Sequence, residues 1–294
     1  MSWVGVVAEM SLRTLIHGEV YYYGSKGVEK GFLFIDGSKI RDVGEEPQPE
    51  YELSELVLKY EKPALVVHGF SALVPGVDFP FRGLDPIQLP MDEGMVEKLV
   101  LVSLSTAYAN GVTLPILEDT PDCKVSSVIS KHGLKAAVIS SKPCAKPGVY
   151  NILVEEDMLV FNNRLIGRWG EVVCDPRSIG DKCLILDTRR EHSRSPQAWF
   201  SKSDNPDSLL RILVQPYRVL GLDSGFVERG SLADLVVYDL SDPVLSLPLS
   251  KLSPVVVAMR GGPQVVFVGG EVAFEKGEHL LVQPPSIVEY LAGL

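Results

Sequence analysis

Both ends of the chain carry the short alternation of apolar and polar residues that is typical of β-strands. The segment Leu12–Tyr23 alternates imperfectly, and Gly31–Gly44 holds an Asp-Gly pair at Asp36 between two apolar runs. An Asp-Gly pair supplies the positive φ angles that a tight hairpin turn requires. A further apolar run at Leu65–Val67 predicts another strand. The N-terminal part is therefore predicted to be β-structure.

The C-terminal part shows the same kind of pattern. Leu235–Tyr238 and Val255–Met259 are short apolar runs that predict buried strands. Val265–Gly277 predicts a second hairpin, which turns at the Gly-Gly pair that begins with Gly269. Each end has too few strands to bury the face of a sheet by itself. We therefore expect the two ends to pack into one β-sandwich.

The middle of the chain alternates between helical and strand patterns. Met95–Gly111 places apolar residues at helical spacing and ends in Asn-Gly, a common signal for the C-terminus of a helix. Further helices are predicted over SSVISKHG and Asn205–Leu222, and strands at Val112–Leu117, Lys135–Ser140, Val149–Val154 and Lys182–Leu186. This alternation predicts parallel α/β packing between the two β-rich ends.

Segments near both ends resemble the amidohydrolase superfamily, in particular its cyclic-amidine deaminase and chlorohydrolase-like branch. The resemblance rests on Leu15–Glu45 and Lys62–Phe70 near the start, and on Gln215–Pro243 and Val265–Glu278 near the end. The sequences FRGLDPIQLP and YANGVT resemble segments that follow the first barrel strand of that family. The similarity covers roughly residues 12–118 and 205–278.

The resemblance implies a discontinuous β-sandwich with a (β/α) barrel inserted between its two parts. It also implies hydrolysis of carbon–nitrogen bonds with a divalent metal, held by an H-x-H pair on the first barrel strand, two later histidines and an Asp on the last strand. A bound metal lowers the pKa of water towards neutrality and so supplies a hydroxide nucleophile. The chemistry of such barrels lies at the carboxyl ends of their strands.

The metal motif of that family is missing from this sequence. Gly69 and Ser71 stand where the two histidines belong, and His68 lies one place early. A shifted alignment puts Leu73 and Pro75 at those positions instead. Glycine and leucine offer no ligand atom, and a serine hydroxyl is a poor ligand beside imidazole for zinc or iron. The sequence therefore predicts that the usual metal site is lost.

The barrel is also too short. About 115 residues separate Val67 from Lys182, whereas a complete eight-stranded barrel needs roughly 200 or more. We therefore expect an abbreviated, open or rebuilt barrel.

Asp187 is the position at which the resemblance carries over best, because it follows the last predicted barrel strand. The resemblance implies that this Asp is both a metal ligand and a proton shuttle. An N-cap or an ion pair with Arg189 or Arg190 is the alternative interpretation. His68 ends the first barrel-like strand and is the second candidate metal ligand, with His192 as a third if the site has been reassembled.

Composition and charge exclude several other classes of protein. The chain has 28 basic and 38 acidic residues, a formal net charge of −10, which disfavours binding to nucleic acid. No uninterrupted apolar run reaches the roughly 18 residues that cross a bilayer, and the opening segment lacks the features of a signal peptide. We expect a cytoplasmic protein with no nucleic-acid or membrane partner. A small-molecule ligand and a homo-oligomer stay open.

The four cysteines are widely spaced and form no CxxC pair, so a zinc knuckle is unsupported. Buried free thiols are the first expectation for a cytoplasmic chain. Asn and Gln together number only 11, a depletion typical of thermophilic proteins, in which intracellular disulfides do occur. Disulfides therefore stay open as the alternative.

These observations predict an α/β plus β protein. A discontinuous composite β-sandwich is expected over residues 1–62 and 223–294, with an abbreviated (β/α)-barrel-like domain over 63–222. Main-chain pairing between Leu12–Lys62 and Phe226–Leu281 should join the two parts of the sandwich.

Two functional hypotheses follow from the sequence. The first is a degenerate amidohydrolase-like protein, nominally a hydrolase of non-peptide C–N bonds, with no metal or other cofactor and a role in binding, assembly or regulation. The alternative is an active, divergent, deaminase-like C–N hydrolase. That alternative would use a divalent metal such as zinc, or an acid–base site, rebuilt from His68 and Asp187.

Overall fold

The structure is a computed structural model, and it describes residues 12–77, 92–176, 179–189, 199, 206–241 and 253–284. Within these ranges the strands form sheets of nine, six and two strands. Of the helices that the structure describes, none is long and apolar enough to cross a membrane.

Nine strands drawn from both ends of the chain form one mixed sheet, which we call the terminal sheet. Its strands are β1 (Arg13–Gly24), β2 (Gly27–Lys30), β3 (Phe32–Asp36), β4 (Lys39–Gly44), β5 (Leu56–His68), β14 (Leu235–Asp239), β15 (Val265–Val268), β16 (Glu271–Glu275) and β17 (Glu278–His279). The strand order is β17-β16-β15-β14-β5-β1-β3-β4, with β2 paired to β1. A 3₁₀ turn, Pro49–Leu53, precedes β5.

The two ends of the chain meet where β5 pairs with β14. The pairing is antiparallel and runs from Ala64 opposite Asp239 to His68 opposite Leu235. The other edge of β5 pairs in parallel with β1. The two distant parts of the chain are therefore joined by main-chain pairing, but Ala64–His68 lie in the range predicted for the barrel, and within the predicted ranges an isolated bridge joins Lys39 to Leu232. Because β5 continues across residues 62 and 63, the division into 1–62, 63–222 and 223–294 stays a prediction.

The terminal sheet curls until two of its hairpin turns touch. A Cβ added to Gly270, which has a φ of +85°, would lie 1.9 Å from the carbonyl oxygen of Gly37. Gly270 is in the turn between β15 and β16, and Gly37 is in the turn between β3 and β4. The curled sheet encloses a core of its own that includes Ile16, Leu33 and Phe267. The second layer of a true sandwich stays a prediction.

The second sheet is a curled half-barrel. Its strands are β6 (Phe70–Leu73), β7 (Val112–Glu118), β8 (Ala136–Ser140), β9 (Val149–Glu155), β10 (Met158–Phe161) and β11 (Arg164–Arg168), paired in that order. The first four are parallel and the last two are antiparallel. A parallel pair, β12 (Val173–Cys174) and β13 (Ile185–Leu186), joins β6 through a bridge between Leu73 and Asp187. The shortened barrel that the sequence predicts is consistent with this arrangement.

Helices cover the half-barrel and connect it to the terminal sheet. They are α1 (Glu93–Ala109), α2 (Lys124–Lys131), α3 (Trp169–Val172), α4 (Pro206–Val219) and α5 (Pro254–Arg260). The side chain of Asp92 caps α1 by accepting a hydrogen bond of 2.8 Å from the backbone N–H of Met95. Val96 and Val100 of α1 share a buried cluster with Val266 of β15. Helix α1 therefore packs between the two sheets.

One predicted strand belongs to a different sheet, and another is a helix. Leu65–Val67 is a strand, as predicted, but it lies in β5 of the terminal sheet, and the first strand of the half-barrel is Phe70–Leu73. The two strands follow each other so closely that the apolar pattern does not show where one sheet ends and the other begins. Val255–Met259 lies in the helix α5. A short apolar run does not distinguish a buried strand from a buried helix, and Pro254, at the first turn, favours the helix.

The expectation of free thiols is also wrong, because all four cysteines are paired. Cys123 is bonded to Cys144 and Cys174 to Cys183, with Cα–Cα distances of 5.7 and 5.8 Å. Sequence spacing gave no sign of either pair, because each bond joins segments that meet only in the folded half-barrel.

Candidate functional site

The side chains of β6, the first strand of the half-barrel, determine which groups the half-barrel interior offers to a ligand. Alternate residues of a strand point to opposite faces. Phe70 and Ala72 pack in the cluster that contains α1, whereas Leu73 packs in the interior cluster with Leu114. The buried hydroxyl of Ser71 donates a hydrogen bond of 2.8 Å to the carbonyl oxygen of Leu114. Ser71 and Leu73 therefore serve packing and backbone bonding.

Gly69 lies against another strand so closely that it has no room for a side chain. A Cβ at this position would be 1.9 Å from Oγ1 and 2.6 Å from Cγ2 of Thr113. Contacts below 3.0 Å require an atom to move, and a histidine is much larger than a single Cβ. A metal-binding imidazole at position 69 is therefore incompatible with the present position of Thr113.

Thr113 belongs to a buried chain of hydrogen bonds. The hydroxyl of Tyr217 donates to Oδ2 of Asp234 at 2.9 Å, and Oγ1 of Thr113 lies 2.6 Å from the same hydroxyl oxygen. Because the Tyr217 proton is already donated to Asp234, Thr113 acts as the donor to Tyr217. The backbone N–H of Gly269 donates to Oδ1 of Asp234 at 2.6 Å. This chain ties β7, α4 and the start of β14 together.

The pKa values of both acidic groups in this chain, Asp234 and Tyr217, are raised. Burial raises the pKa of Asp234, although the hydrogen bond from Gly269 opposes the shift. Burial and the charge of Asp234 also raise the pKa of Tyr217 well above its ordinary value. A tyrosine that holds its proton this firmly serves as a hydrogen-bond donor.

Apolar side chains fill the rest of the half-barrel interior. Tyr217 and Leu220 are buried there against the inward-facing residues of the strands. Those residues are Leu73, Leu114, Ile116, Ala137, Ile139, Ile152, Leu159, Phe161 and Ile185. Apolar carbon provides no ligands for a metal and no polar contacts for a substrate. The described part of the interior is therefore a packed core.

His68 lies at the end of β5, beside an acid that sequence reasoning missed. Its Nε2 is 3.6 Å from Oδ2 of Asp223, and both side chains are almost fully buried. Its Nδ1 lies 2.8 Å from the carbonyl oxygen of Gly69, and a carbonyl only accepts, so Nδ1 carries a proton. The ring stands edge-on to Tyr217 with a centroid distance of 4.5 Å.

Asp223 is held ionised by its surroundings. Burial alone would raise the pKa of Asp223, but the imidazole of His68 and the backbone N–H groups of Leu232 and Ser224 outweigh burial and lower the pKa to about 2. The carboxylate accepts hydrogen bonds from the backbone N–H groups of Ser224 and Leu232 and so holds the loop between α4 and β14 in place.

Asp187 is engaged in an ion pair, one of the alternatives that the sequence left open. Its Oδ1 accepts from Nε of Arg189 at 2.9 Å and its Oδ2 from Nη2 of Arg189 at 2.8 Å. Nη1 of Arg189 also pairs with Glu118. Burial lowers the pKa of Arg189, but the two carboxylates outweigh it and raise the pKa overall. Arg189 therefore stays charged between Asp187 and Glu118.

The structure places His68 and Asp187 at opposite ends of β6. Asp187 is bridged to Leu73, the last residue of β6, while His68 precedes its first residue. The five residue-to-residue steps from His68 to Leu73 correspond to roughly 16 Å of extended chain. His192 lies outside the described residues, as does the segment FRGLDPIQLP. The proposed roles of His68 and Asp187 stay predictions.

Among the described residues, three groups that could ligate one ion come together at Asp119, Cys123 and Cys144. The two cysteines are joined in a disulfide, so neither supplies a thiolate. The carboxylate of Asp119 accepts hydrogen bonds from the N–H of Val125 and from Ser126 near the start of α2. This cluster is a helix cap beside a disulfide.

Sequence reasoning missed Thr113, Tyr217, Asp223 and Asp234. Tyr217, Asp223 and Asp234 lie inside the segment whose resemblance to the family was recognised, Gln215–Pro243. Their polar groups stand beside apolar residues in this segment, and this pattern was the signal that could have marked them as candidate site residues. Nothing in the sequence indicated that Thr113, about a hundred residues earlier, would join them.

Comparison with known proteins agrees with this fold. No family model matches the chain. A 5-methylthioadenosine/S-adenosylhomocysteine deaminase from Pyrococcus furiosus is 40% identical over 78 residues, which is 26% of this chain. The match spans 18% of the length of that deaminase, so it covers less than a fifth of the relative.

Solved structures of C–N hydrolases and a chlorohydrolase share the fold at low sequence identity. An atrazine chlorohydrolase from Arthrobacter aurescens TC1, complexed with zinc, has a TM-score of 0.67 and 11% identity over 95% of this chain and 98% of its own. An adenosine deaminase from Xanthomonas campestris with bound zinc has a TM-score of 0.62 and 12% identity over 96% and 97%. Guanine deaminase from E. coli has a TM-score of 0.59 and 12% identity over 90% and 99%.

The chain therefore has the fold of amidohydrolase-type deaminases and hydrolases, and the resemblance inferred from its ends is confirmed. Two of these structures hold zinc. The described residues of this chain do not fit that metal, because position 69 has no room for a ligand side chain and the inward-facing side chains of the half-barrel strands are apolar.

Proposed function

We propose that this protein is a degenerate amidohydrolase-like protein, in which the scaffold of a C–N hydrolase persists without the metal and without hydrolysis. The packing of Gly69 against Thr113 carries the proposal, since it excludes an imidazole where the family has one. The buried chain Thr113–Tyr217–Asp234 supports it, because hydrogen-bonding groups that would surround a reaction centre hold strands and a helix together instead. The remaining role is binding, assembly or regulation.

The expected partners follow from the charge and from the loss of the metal. A net charge of −10 argues against nucleic acid as a partner. A small-molecule ligand and a second copy of the chain are the partners that we favour. We propose no resident cofactor.

Metal content tests the proposal directly. The purified protein should be supplemented with Zn, Fe, Mn or Ni, dialysed and examined by elemental analysis, with the zinc-containing adenosine deaminase from Xanthomonas campestris treated in parallel. We expect well under one equivalent of metal per chain and about one equivalent in the control. One tightly held equivalent in this protein would overturn the proposal.

A second candidate function is hydrolysis of C–N bonds through Asp187. The observation in its favour is that Asp187 adjoins the end of the first half-barrel strand through the bridge to Leu73, at the end of the barrel where this fold carries chemistry. The ion pair with Arg189 argues against it, because a carboxylate held by two hydrogen bonds from a charged guanidinium is a poor proton acceptor.

The variant Asp187→Asn separates the two functions when both proteins are assayed on deaminable purines, pyrimidines and cyclic ureas. We expect no activity in either. If the wild type is active and Asp187 is its general acid–base, the variant should lose about two orders of magnitude. Equal activity in both proteins would assign the chemistry elsewhere and would still contradict the degenerate interpretation.

A further inference from the structure

Asp119, Cys123 and Cys144 lie together at the carboxyl ends of two neighbouring parallel strands of the half-barrel. Asp119 follows β7, Cys144 lies in the loop between β8 and β9, and Cys123 directly precedes α2. An oxygen of the carboxylate and the two sulfurs lie within 4.8 Å of one another. Because a disulfide sulfur is not a thiolate, the bond between the two cysteines is what prevents this group from binding a metal ion.

The backbone holds both cysteines in place by hydrogen bonds that do not involve the disulfide. The N–H of Cys123 donates to the carbonyl oxygen of Thr120 at 2.9 Å, and the carbonyl oxygen of Cys123 accepts from the N–H of Ser127 at 3.1 Å. The N–H of Cys144 donates to Oδ1 of Asn151 at 2.9 Å. The two Cα atoms, which are 5.7 Å apart, should therefore keep their positions when the disulfide is broken.

The carboxylate of Asp119 is oriented by its own hydrogen bonds and has room for one more partner. It accepts from the N–H groups of Thr120 and Val125, both at 2.9 Å, and from the hydroxyl of Ser126 at 2.6 Å. A carboxylate offers about four lone pairs, and these three hydrogen bonds use three of them. Hydrogen bonds of this kind commonly fix the orientation of a carboxylate that binds a metal ion.

Reduction turns the disulfide into two metal ligands without a large movement. Two electrons from an external thiol or phosphine reductant break the S–S bond, and two protons complete the two thiols. Cys123 is partly exposed, so a small reductant can reach the bond. Two sulfurs on one tetrahedral zinc ion lie about 3.8 Å apart, because each Zn–S bond is about 2.3 Å long. Bonded sulfurs lie about 2 Å apart, and rotation about the Cα–Cβ bonds supplies the difference.

We propose that Cys123 and Cys144, once reduced, bind one Zn²⁺ together with Asp119, with water as the fourth ligand. Binding releases the two thiol protons, so two thiolates and one carboxylate face the dication. Thiolate ligands select zinc over Mg²⁺ and Ca²⁺. The site lies outside the apolar interior and uses neither His68 nor Asp187, so it goes beyond the loss of hydrolysis. The oxidised protein should hold no metal ion at this site.

Reduction in the presence of zinc tests the proposal on the whole protein. The chain is treated with a phosphine reductant and excess ZnCl₂ without oxygen, freed of unbound metal by gel filtration and examined by elemental analysis. Unreduced protein is treated in parallel. We expect about one equivalent of zinc after reduction and well under one without it. Bound zinc should also protect Cys123 and Cys144 from alkylation by iodoacetamide, as read by mass spectrometry.

The outcomes separate this inference from the proposed function. No zinc in reduced protein that keeps its far-ultraviolet circular dichroism would overturn the inference, as would reduced protein that unfolds despite the zinc. One equivalent in the unreduced protein would instead contradict the proposed function. The inference would then require a second equivalent that is gained on reduction, and its absence would overturn it.

Variants locate the zinc at this cluster. Cys174→Ser/Cys183→Ser is the matched control, because the described residues offer no third ligand beside that disulfide. After reduction this control should bind about one equivalent, and Cys123→Ser/Cys144→Ser should bind none. Zinc binding by both double variants, or by neither, would overturn the inference.

Asp119→Asn tests the third ligand. The amide oxygen can still accept the hydrogen bond from the N–H of Val125, but it lacks the charge of a carboxylate. The zinc affinity of the reduced variant, measured by competition with a chromophoric chelator, should fall by at least about tenfold, which is the loss that even an outer hydrogen-bonding partner causes. Wild-type affinity in this variant would overturn the assignment of Asp119.

Discussion

The terminal sheet and the half-barrel match the pattern that the resemblance implies to different extents. In the terminal sheet the two hairpins that the resemblance implies are in place, and the two ends of the chain pair through β5 and β14. In the half-barrel the parallel pattern stops after β9, and the described interior is filled by Tyr217, Leu220 and apolar strand residues.

Under the proposed function, the difference indicates which part of this fold loses a binding site most easily. The strands of the terminal sheet are held along their length by main-chain hydrogen bonds, which do not depend on a few particular side chains. A metal site depends on a few side chains, and once they are gone the space can close by packing. Both disulfides and the Thr113–Tyr217–Asp234 chain secure the closed half-barrel. The comparison predicts that changes there cost more than matched changes in the terminal sheet.

Removal of the Cys123–Cys144 disulfide should have the largest effect. The bond closes a loop with a sequence separation of 21, and loop-closure entropy alone predicts a loss of about 3 kcal/mol. The double variant Cys123→Ser/Cys144→Ser should show this loss in urea unfolding. The shorter separation of 9 at Cys174–Cys183 predicts a somewhat smaller loss. Unchanged stability in both double variants would show that the disulfides do not stabilise the half-barrel.

Substitution of Gly69 by alanine should cost about 2 to 3 kcal/mol, because its Cβ overlaps Thr113 and overpacking costs of this order are typical. Denaturant unfolding measures the change. In a Thr113→Ala background the overlapping Oγ1 and Cγ2 are absent, so the added cost of Gly69→Ala should fall. Strictly additive effects of the two substitutions would show that the close contact does not keep position 69 empty.

The change Tyr217→Phe should destabilise the protein by about 2 kcal/mol, since it leaves buried polar atoms of Thr113 and Asp234 without their shared partner. Tyr51→Phe is the matched change beside the terminal sheet. The Tyr51 hydroxyl donates to the partly buried Asp42 at 3.0 Å, and its loss should cost less than 1 kcal/mol. A larger loss for Tyr51→Phe would reverse the comparison between the two regions.

Asp223 should give the stability a dependence on acid pH. Its pKa is lowered in the folded protein to about 2 from an ordinary value of 3.8. The ionised carboxylate therefore stabilises the fold above pH 4, by about 2 kcal/mol. This contribution should disappear as the pH falls from about 4 to about 2. The difference in unfolding free energy between the wild type and Asp223→Asn should shrink over the same range, and a constant difference would contradict this assignment.

The parts of the fold that the sequence predicted are those set by neighbouring residues. The turn at Asp36-Gly37 and the end of α1 near Asn110 depend on local backbone preferences, and both lie at or beside the predicted positions. The closed interior depends on residues far apart. Gly69 reads as a missing ligand in sequence, and only the position of Thr113 shows why no side chain fits there.

The same limit applies to His68 and Asp187. Their spacing along the chain gives no measure of their separation, which follows from the strand that lies between them and from the bridge of Asp187 to Leu73. Asp187 pairs with Arg189 two residues away, a local contact that the sequence did offer as an alternative. Asp223, the partner of His68, is brought there by the loop after α4, and no local pattern indicates it.

The position of β5 has a consequence for how the protein is made. One edge of β5 pairs with β1, which precedes it in the chain, whereas the other edge pairs with β14, which begins at Leu235, far later in the chain. At typical synthesis rates the intervening chain takes about 10 to 30 s to emerge from the ribosome. Throughout that interval a nascent sheet presents an open, apolar edge, which is a common starting point for aggregation. Production of soluble protein should therefore depend on how quickly the C-terminal strands follow, and on whether a chaperone covers β5 until they do.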